Sequence, residues 1–241
     1  MDRATHQPRR VYPVVHYLDH DLAVAQARLA FAAGADGVFL IDHACDDGAV
    51  MRAAIEILKH RPEGKLLGVN LLATAPLPSV DMVAQARLDA LWGDQPGIHS
   101  NGEQPVAAQI GARLAVLEPP LLYFGSVAFK GQPHDPDPVA SALRAQALGM
   151  IPTTSGSGTG KAPDVSKISA IHAGLVASGH VHPPRLGIAS GMDCENIGLF
   201  LPYLTDILVA TGVSADEHHF DAARLRRFIE IVAAYNRDAA R

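Results

Sequence analysis

The chain reads as an α/β protein, a closed (β/α)8 barrel in a single domain, on three observations. Eight short apolar runs alternate with eight amphipathic, alanine-rich stretches between residues 11 and 235. The repeat averages about 28 residues, which brings the whole close to the roughly 250 residues typical of such barrels. The runs are continuously apolar rather than alternating, as a parallel sheet buried on both faces requires. A doubly wound open sheet is the structural alternative; eight units without a second domain favour the closed ring.

The elements follow in order. VYPVVHY (11–17) is the first strand, and Asp19 or Asp21 caps the helix DLAVAQARLAFAAG, which Gly34 stops. DGVFLID (36–42) precedes a helix near 47–60, KLLGVNLLA (65–73) precedes SVDMVAQARL, and LDALWG (88–93) precedes QPVAAQIGARLA (104–115). The second half repeats this order. LLYFGSVAF (121–129) leads to PVASALRAQALG, MIPTTS (150–155) to DVSKISAIHAGLVA, RLGIAS (185–190) to DCENIGLFLPY, and DILVAT (206–211) to DAARLRRFIEIVAAYN. Residues 1–10 form a polar N-terminal extension.

Composition excludes several classes. Of 241 residues 48% are hydrophobic, enough for a large core, and 20 Lys+Arg stand against 25 Asp+Glu for a net charge of −5. Without clustered cations a nucleic-acid partner is not expected. The start, MDRATHQPRR, lacks the apolar core of a signal peptide, and no stretch reaches the length of a membrane span. Cys45 and Cys194, far apart and outside any CxxC, fit reduced thiols in the cytoplasm.

The most unusual stretch is TTSGSGTGKAPDVSKI (153–168), after the sixth strand. Gly156, Gly158 and Gly160 alternate with Ser157 and Thr159, and Lys161 follows at once. Glycines admit positive φ and close backbone approach, so consecutive amides can cradle an anion. A P-loop would need Gly where Ser155 stands and Ser or Thr at Ala162; a dinucleotide fingerprint would need Gly at Lys161. No cofactor is therefore expected. Ser190-Gly191 after the seventh strand and Thr211-Gly212 after the eighth stand where barrels build phosphate sites. Gly156, Ser157, Gly158, Thr159, Gly160, Lys161, Ser190, Gly191, Thr211 and Gly212 are thus the predicted phosphate ligands. Ser157 to Lys161 is expected to act as a mobile flap with Lys161 as its cation; the bland alternative is a plain flexible linker.

SGSGTGK, ASGMDCENI and ATGVS after strands six, seven and eight resemble the ribulose-phosphate-binding TIM barrels, which include phosphoribosylanthranilate isomerase and the tryptophan synthase α-subunit. Within that group the chain is most similar to the BtpA family, through GVNLLA (68–73), the Asp94 to Ile98 stretch, SGMDCENI and the closing FDAARLRRFIEIV. The resemblance implies a cytoplasmic barrel, associated in some members with photosystem I assembly, and a phosphorylated small-molecule ligand. The acid and base typical of the isomerase, a Cys after strand one and an Asp after strand five, have no counterpart beside His16 or Ser126.

Strand ends one to five carry the remaining chemistry: His16, Asp42 with His43, Asn70, Asp94 with Gln95, and Ser126 with Lys130. His16, Asp42, Asn70 and Asp94 are the predicted catalytic residues, since carboxylates buried there can serve as acid or base. Asp42, Asn70 and Asp94 are expected to share one cavity, the alternative for Asp42 being a helix cap. No metal is predicted. His16 and His20 straddle a strand end, His180-Val181-His182 lies at the far end of the barrel, and His218-His219 beside Asp216 and Glu217 reads as a solvated loop. Three functions remain: an enzyme acting on a phosphorylated sugar or phosphoribosyl metabolite, a non-catalytic BtpA-like binding or assembly factor, and a metal-dependent hydrolase. Assembly into a homo-oligomer is left open.

Overall fold

Every barrel strand is short, and nearly every residue in it is buried. A computed structural model describes residues 7–180 and 183–241; residues 1–6 of the N-terminal extension and the Val181-His182 pair lie outside the described residues. The strands are β1 (Arg10–His16), β2 (Gly37–Ile41), β3 (Leu66–Asn70), β4 (Ala90–Gly93), β5 (Leu122–Ser126), β6 (Ile151–Thr154), β7 (Gly187–Ala189) and β8 (Asp206–Val209). All neighbours are parallel, and β8 pairs back onto β1 through Val11 opposite Ile207, closing the ring in simple chain order.

Side chains alternate across this ring. Tyr12, Val14, Phe39, Ile41, Trp92, Phe124 and Leu208 fill the interior, while Val11, Val15, Val38, Leu40 and Ile207 pack outward beneath the helices. Three aromatic rings meet inside edge to face, with centroids 5.2 to 5.9 Å apart. Gly68 makes room for them: a Cβ there would run into the Phe39 ring.

The helices are α1 (His20–Ala32), α2 (Asp47–His60), α3 (Pro76–Gln85), α4 (Pro105–Leu114), α5 (Pro138–Ala147), α6 (Val165–Ser178), α7 (Ile197–Phe200) and α8 (Ala222–Ala239). Asp19 caps α1 by accepting the Leu22 N–H at 2.8 Å, and prolines open α3, α4 and α5, where a missing N–H costs nothing. Two features depart from the expected pattern. The seventh helix is a single turn, because Asp193 and Asn196 spend their side chains on local backbone: Asp193 accepts the Glu195 and Asn196 amides, and Asn196 donates to the Gly191 carbonyl at 2.7 Å. A two-stranded hairpin, Ile98–His99 against Gly102–Glu103, sits in the loop after β4.

The amino end of the barrel is closed by a polar plug. Asp206 is fully buried and receives the Arg185 guanidinium (Nε at 3.0 Å), the Tyr12 hydroxyl at 3.2 Å and the Thr205 hydroxyl at 2.6 Å. Among the described residues no helix is long and apolar enough to cross a membrane.

Candidate functional site

Eight parallel strands deliver eight carboxyl ends to one mouth, and side chains from most of them line a cavity of about 140 Å³ there. His16 comes from the end of β1, His43 from the loop after β2, Trp92 and Asp94 from β4 and its end, and Lys130 from the loop after β5. Thr159, Ser190 and Thr211 come from the loops after β6, β7 and β8.

Asp94 is the partly buried carboxylate of the mouth. Its carboxylate accepts an N–H from Asn70 Nδ2 at 3.3 Å, and burial raises its pKa above the ordinary carboxylate value. It also borders a second cavity of about 310 Å³, lined by Asn70, Thr74, Gln95 and Tyr123. The Tyr123 hydroxyl there is buried without a hydrogen-bond partner, and Gly93 is small because a Cβ would strike that hydroxyl.

Lys130 lies on a loop pinned at several points. Its backbone N–H donates to Ser155 Oγ at 2.8 Å, and the Lys167 ammonium donates to the Ala128 and Ser155 carbonyls at 2.7 and 2.9 Å. The Gln132 amide donates to the carbonyls of Asp94 (2.7 Å) and Ser126 (3.0 Å) and accepts the Phe129 N–H. This bracing holds Ala128 at φ 45°, a left-handed conformation that costs about 1–3 kcal/mol in a non-glycine residue. Burial lowers the Lys130 pKa, with Asp94 opposing the shift.

His16 is half-buried, with Nδ1 enclosed and unpartnered. Burial first, then the neighbouring His43, whose ring lies 4.9 Å away, pushes its pKa down to about 4. The imidazole is therefore neutral at pH 7 and available as a base.

Asp42 corrects the expectation of a shared cavity. Its two carboxylate oxygens accept the Ala44 and Asp46 amides, each at 2.9 Å, and it does not line the mouth. The carboxylate is spent on its own loop, which must turn through Cys45 at φ 64° before Asp46 caps α2. Asn70 and Asp94 do come together.

The glycine-rich loop is tethered. Gly160 N–H donates to Ser190 Oγ at 3.0 Å, and that hydroxyl donates to the Gly158 carbonyl at 3.3 Å. Packing explains Gly156, Gly191 and Gly212: a Cβ would strike the Lys161 carbonyl from Gly156, the Lys161–Ala162 backbone from Gly191 and the Met192 carbonyl from Gly212. Gly158 and Gly160 face more open space. Ser190 and Thr159 face the mouth, whereas Gly160, Gly191 and Gly212 line an outer cleft of about 670 Å³ with Arg224 and Arg227; Thr211 borders both. Gly156 and Ser157 border a further cavity beside Lys167. Lys161 is exposed and lines neither the mouth nor the outer cleft. The cation in the mouth is Lys130, whose ammonium lies 3.3 Å from Thr159 Oγ1. The outer cleft is the larger and carries Cys194 and Asp221, whose pKa values are also shifted, whereas the mouth brings together His16, Asp94 and Lys130.

His218 turns its Nδ1 to the His16 carbonyl at 3.3 Å, and His219 pairs with Asp216 on the surface. Among the described residues no group of three or more His, Cys, Asp or Glu side chains is placed to hold a metal ion.

No protein-family model matches the chain, and no curated protein does. Solved structures do. Phosphoribosyl anthranilate isomerase from Thermus thermophilus is 19% identical with a TM-score of 0.64, over 94% of this chain and 99% of that one. A phosphoribosyl anthranilate isomerase in complex with reduced 1-(o-carboxyphenylamino)-1-deoxyribulose 5-phosphate matches at 16% identity and TM-score 0.64, over the same shares of each chain. KGPDC from Streptococcus mutans matches at 11% identity and TM-score 0.68, over 94% of this chain and 98% of that one. The chain thus has the closed eight-stranded barrel of these enzymes; at such identities the likeness is one of fold.

Proposed function

We propose that the protein is a cytoplasmic enzyme that moves a proton on a phosphorylated sugar or phosphoribosyl-type metabolite. One observation carries this reading: a single cavity is lined on one side by His16, Asp94 and Lys130 and on the other by Thr159, Ser190 and Thr211 from the three glycine-bearing loops. A phosphate held against those loops leaves the attached sugar over the acid–base set. A carboxyl whose pKa burial raises and a neutral imidazole line the same cavity, one able to give up a proton and the other to accept one. The isomerase whose bound ligand carries a 5-phosphate on the same fold supports the ligand class. The BtpA resemblance fits the same barrel and adds no reaction. No arrangement of the described side chains favours the metal-dependent alternative.

The test has two stages. In titration calorimetry, ribose 5-phosphate should bind at least tenfold more tightly than ribose; equal affinities would refute the phosphate site. Ribulose 5-phosphate should exchange the hydrogen on the carbon beside its carbonyl for deuterium when incubated with the protein in heavy water. Asp94→Asn should slow that exchange by about 10² or more, the usual contribution of a positioned acid or base, with binding little changed.

A further inference from the structure

We propose that Lys130 is a nucleophile that forms an imine with the open-chain carbonyl of a phosphorylated ketose or aldose bound in the mouth. The proposal rests on the function just proposed and deepens it by naming the reactive form of the substrate.

Position comes first. Among the described residues Lys130 is the one amine that lines the mouth cavity, together with Asp94 and the apolar surfaces of Trp92, Phe129 and Leu72. Among the described residues it takes part in no ion pair, and its ammonium donates only to the Thr159 hydroxyl, at 3.3 Å. A lysine held in a salt bridge keeps its proton; one left against apolar walls with a single weak partner gives it up more readily. Burial indeed depresses its pKa. The other two lysines of this region are unsuited. Lys167 is held by two backbone carbonyls, and Lys161 is exposed beside the glycine loop.

The loop itself is built to place this amine. Three side chains from three different elements, Ser155, Lys167 and Gln132, converge on three successive residues, 128 to 130, holding Ala128 in a strained left-handed turn. A solvated surface lysine needs no such bracing. Strain maintained by surrounding structure is a mark of functional placement.

The step balances with groups already present once a proton passes from the Lys130 ammonium to the Asp94 carboxylate. The neutral Lys130 amine attacks the carbonyl carbon, the π pair moves to oxygen, and that oxygen takes a proton from the Asp94 carboxylic acid. The nitrogen returns a proton to the Asp94 carboxylate, which passes it to the hydroxyl, and one water leaves as the C=N bond forms. The protonated imine then acidifies the adjacent C–H, and neutral His16 in the same cavity is placed to accept that proton.

Incubation with ribulose 5-phosphate or ribose 5-phosphate and sodium borohydride should fix one sugar phosphate per chain, on the peptide containing Lys130. Lys130→Arg, which keeps the charge, should cut trapping at least tenfold while melting and binding of ribitol 5-phosphate, which has no carbonyl, persist. If ribitol 5-phosphate binds the parent protein but label appears on no lysine, or on surface lysines equally in parent and variant, the imine is refuted and the phosphate-binding reading stands. If neither ribitol 5-phosphate nor the carbonyl sugars bind, the reading itself fails and the imine with it. Peptide mapping of the parent protein decides the matter even if the variant does not fold.

Discussion

The two ends of the barrel treat their polar groups in opposite ways. At the amino end, Asp206 is buried and fully answered by Arg185, Tyr12 and Thr205. At the carboxyl end, His16 Nδ1 and the Tyr123 hydroxyl are buried without partners, Asp94 accepts a long bond from Asn70, and three of the four non-glycine residues with positive φ among the described residues (Cys45, Ala128 and Ser190) lie in loops that follow strands. Unsatisfied groups and backbone strain cost stability. Gln7 Oε1 and Arg144 Nε are unpartnered as well, but neither borders the mouth; the orphaned groups that line a cavity, His16 and Tyr123, stand at the carboxyl end, and this separates the part of the molecule that holds the fold from the part kept ready for a ligand.

The strongest way to break this comparison is at the saturated end. Asp206→Ala would leave the Arg185 guanidinium, itself mostly buried, without its counter-charge and the Tyr12 hydroxyl without an acceptor. Removing one partner of a buried pair typically costs about 3–5 kcal/mol, and urea unfolding should show a loss of that size. The folded fraction should bind ribose 5-phosphate as the parent does. A loss below about 1 kcal/mol would mean that the plug is ornamental.

How far the chain could be read without coordinates follows the same division. Strands such as GVFLI are apolar throughout because both faces are covered, and that pattern is local, so the barrel was legible. The cap of α1 was narrowed to Asp19 or Asp21 for the same reason, and Asp19 takes it. The hairpin after β4 was missed because its turn residues are Ser100 and Asn101, out of step with the Asn-Gly pair, and each strand is two residues long. At the site, position just past a strand located His16, Asn70 and Asp94, but it could not say whether the Asp42 carboxylate would turn toward the mouth or toward its own loop amides. Nor could adjacency to glycines reveal that Lys161 points away while Lys130 enters. That depends on where the loop after β5 is pinned, through contacts from Gln132 to Asp94 and from Lys167 to Ala128, 38 and 39 residues away. Tyr123 was invisible because nothing in LLYFGS marks its hydroxyl as orphaned.

Ser190 tests whether strain at the mouth is kept for a purpose. Its φ of 100° is a region that favours glycine, and its side chain is the tether of the glycine-rich loop. Ser190→Ala keeps the strain and loses both hydrogen bonds, each worth about 0.5–1.5 kcal/mol. Ser190→Gly loses the same bonds but relieves the backbone. The glycine variant should therefore be more stable than the alanine variant by about 1 kcal/mol, although glycine is ordinarily the costlier residue. In both variants, amide exchange from Gly158 to Lys161 should quicken and affinity for ribose 5-phosphate should fall. If exchange there stays as in the parent, the tether is not what orders the loop.

The most local effect concerns His16. Burial and the proximity of His43 hold its pKa at about 4 against an ordinary 6.5. The unfolded chain therefore binds a proton at this position between pH 6.5 and pH 4 that the folded protein refuses. Stability must rise with pH across that window, since it rises wherever the unfolded state holds more protons. The contribution of this group is fully present above pH 6.5, declines as pH falls toward 4 and is constant below. His16→Asn removes the titration, so the stability difference between parent and variant should fall across that window and flatten outside it. The sign would reverse if Glu217, which raises the His16 pKa, outweighed burial. Ligand supplies the sharper half of the test. A phosphate dianion brought into the mouth favours the imidazolium, so His16 followed by NMR should titrate near pH 4 in the empty protein and higher with ribose 5-phosphate bound. A pKa of 6.5 or above in the empty protein would show that the mouth solvates its histidine, and the contrast between the two ends of the barrel would lose its clearest member.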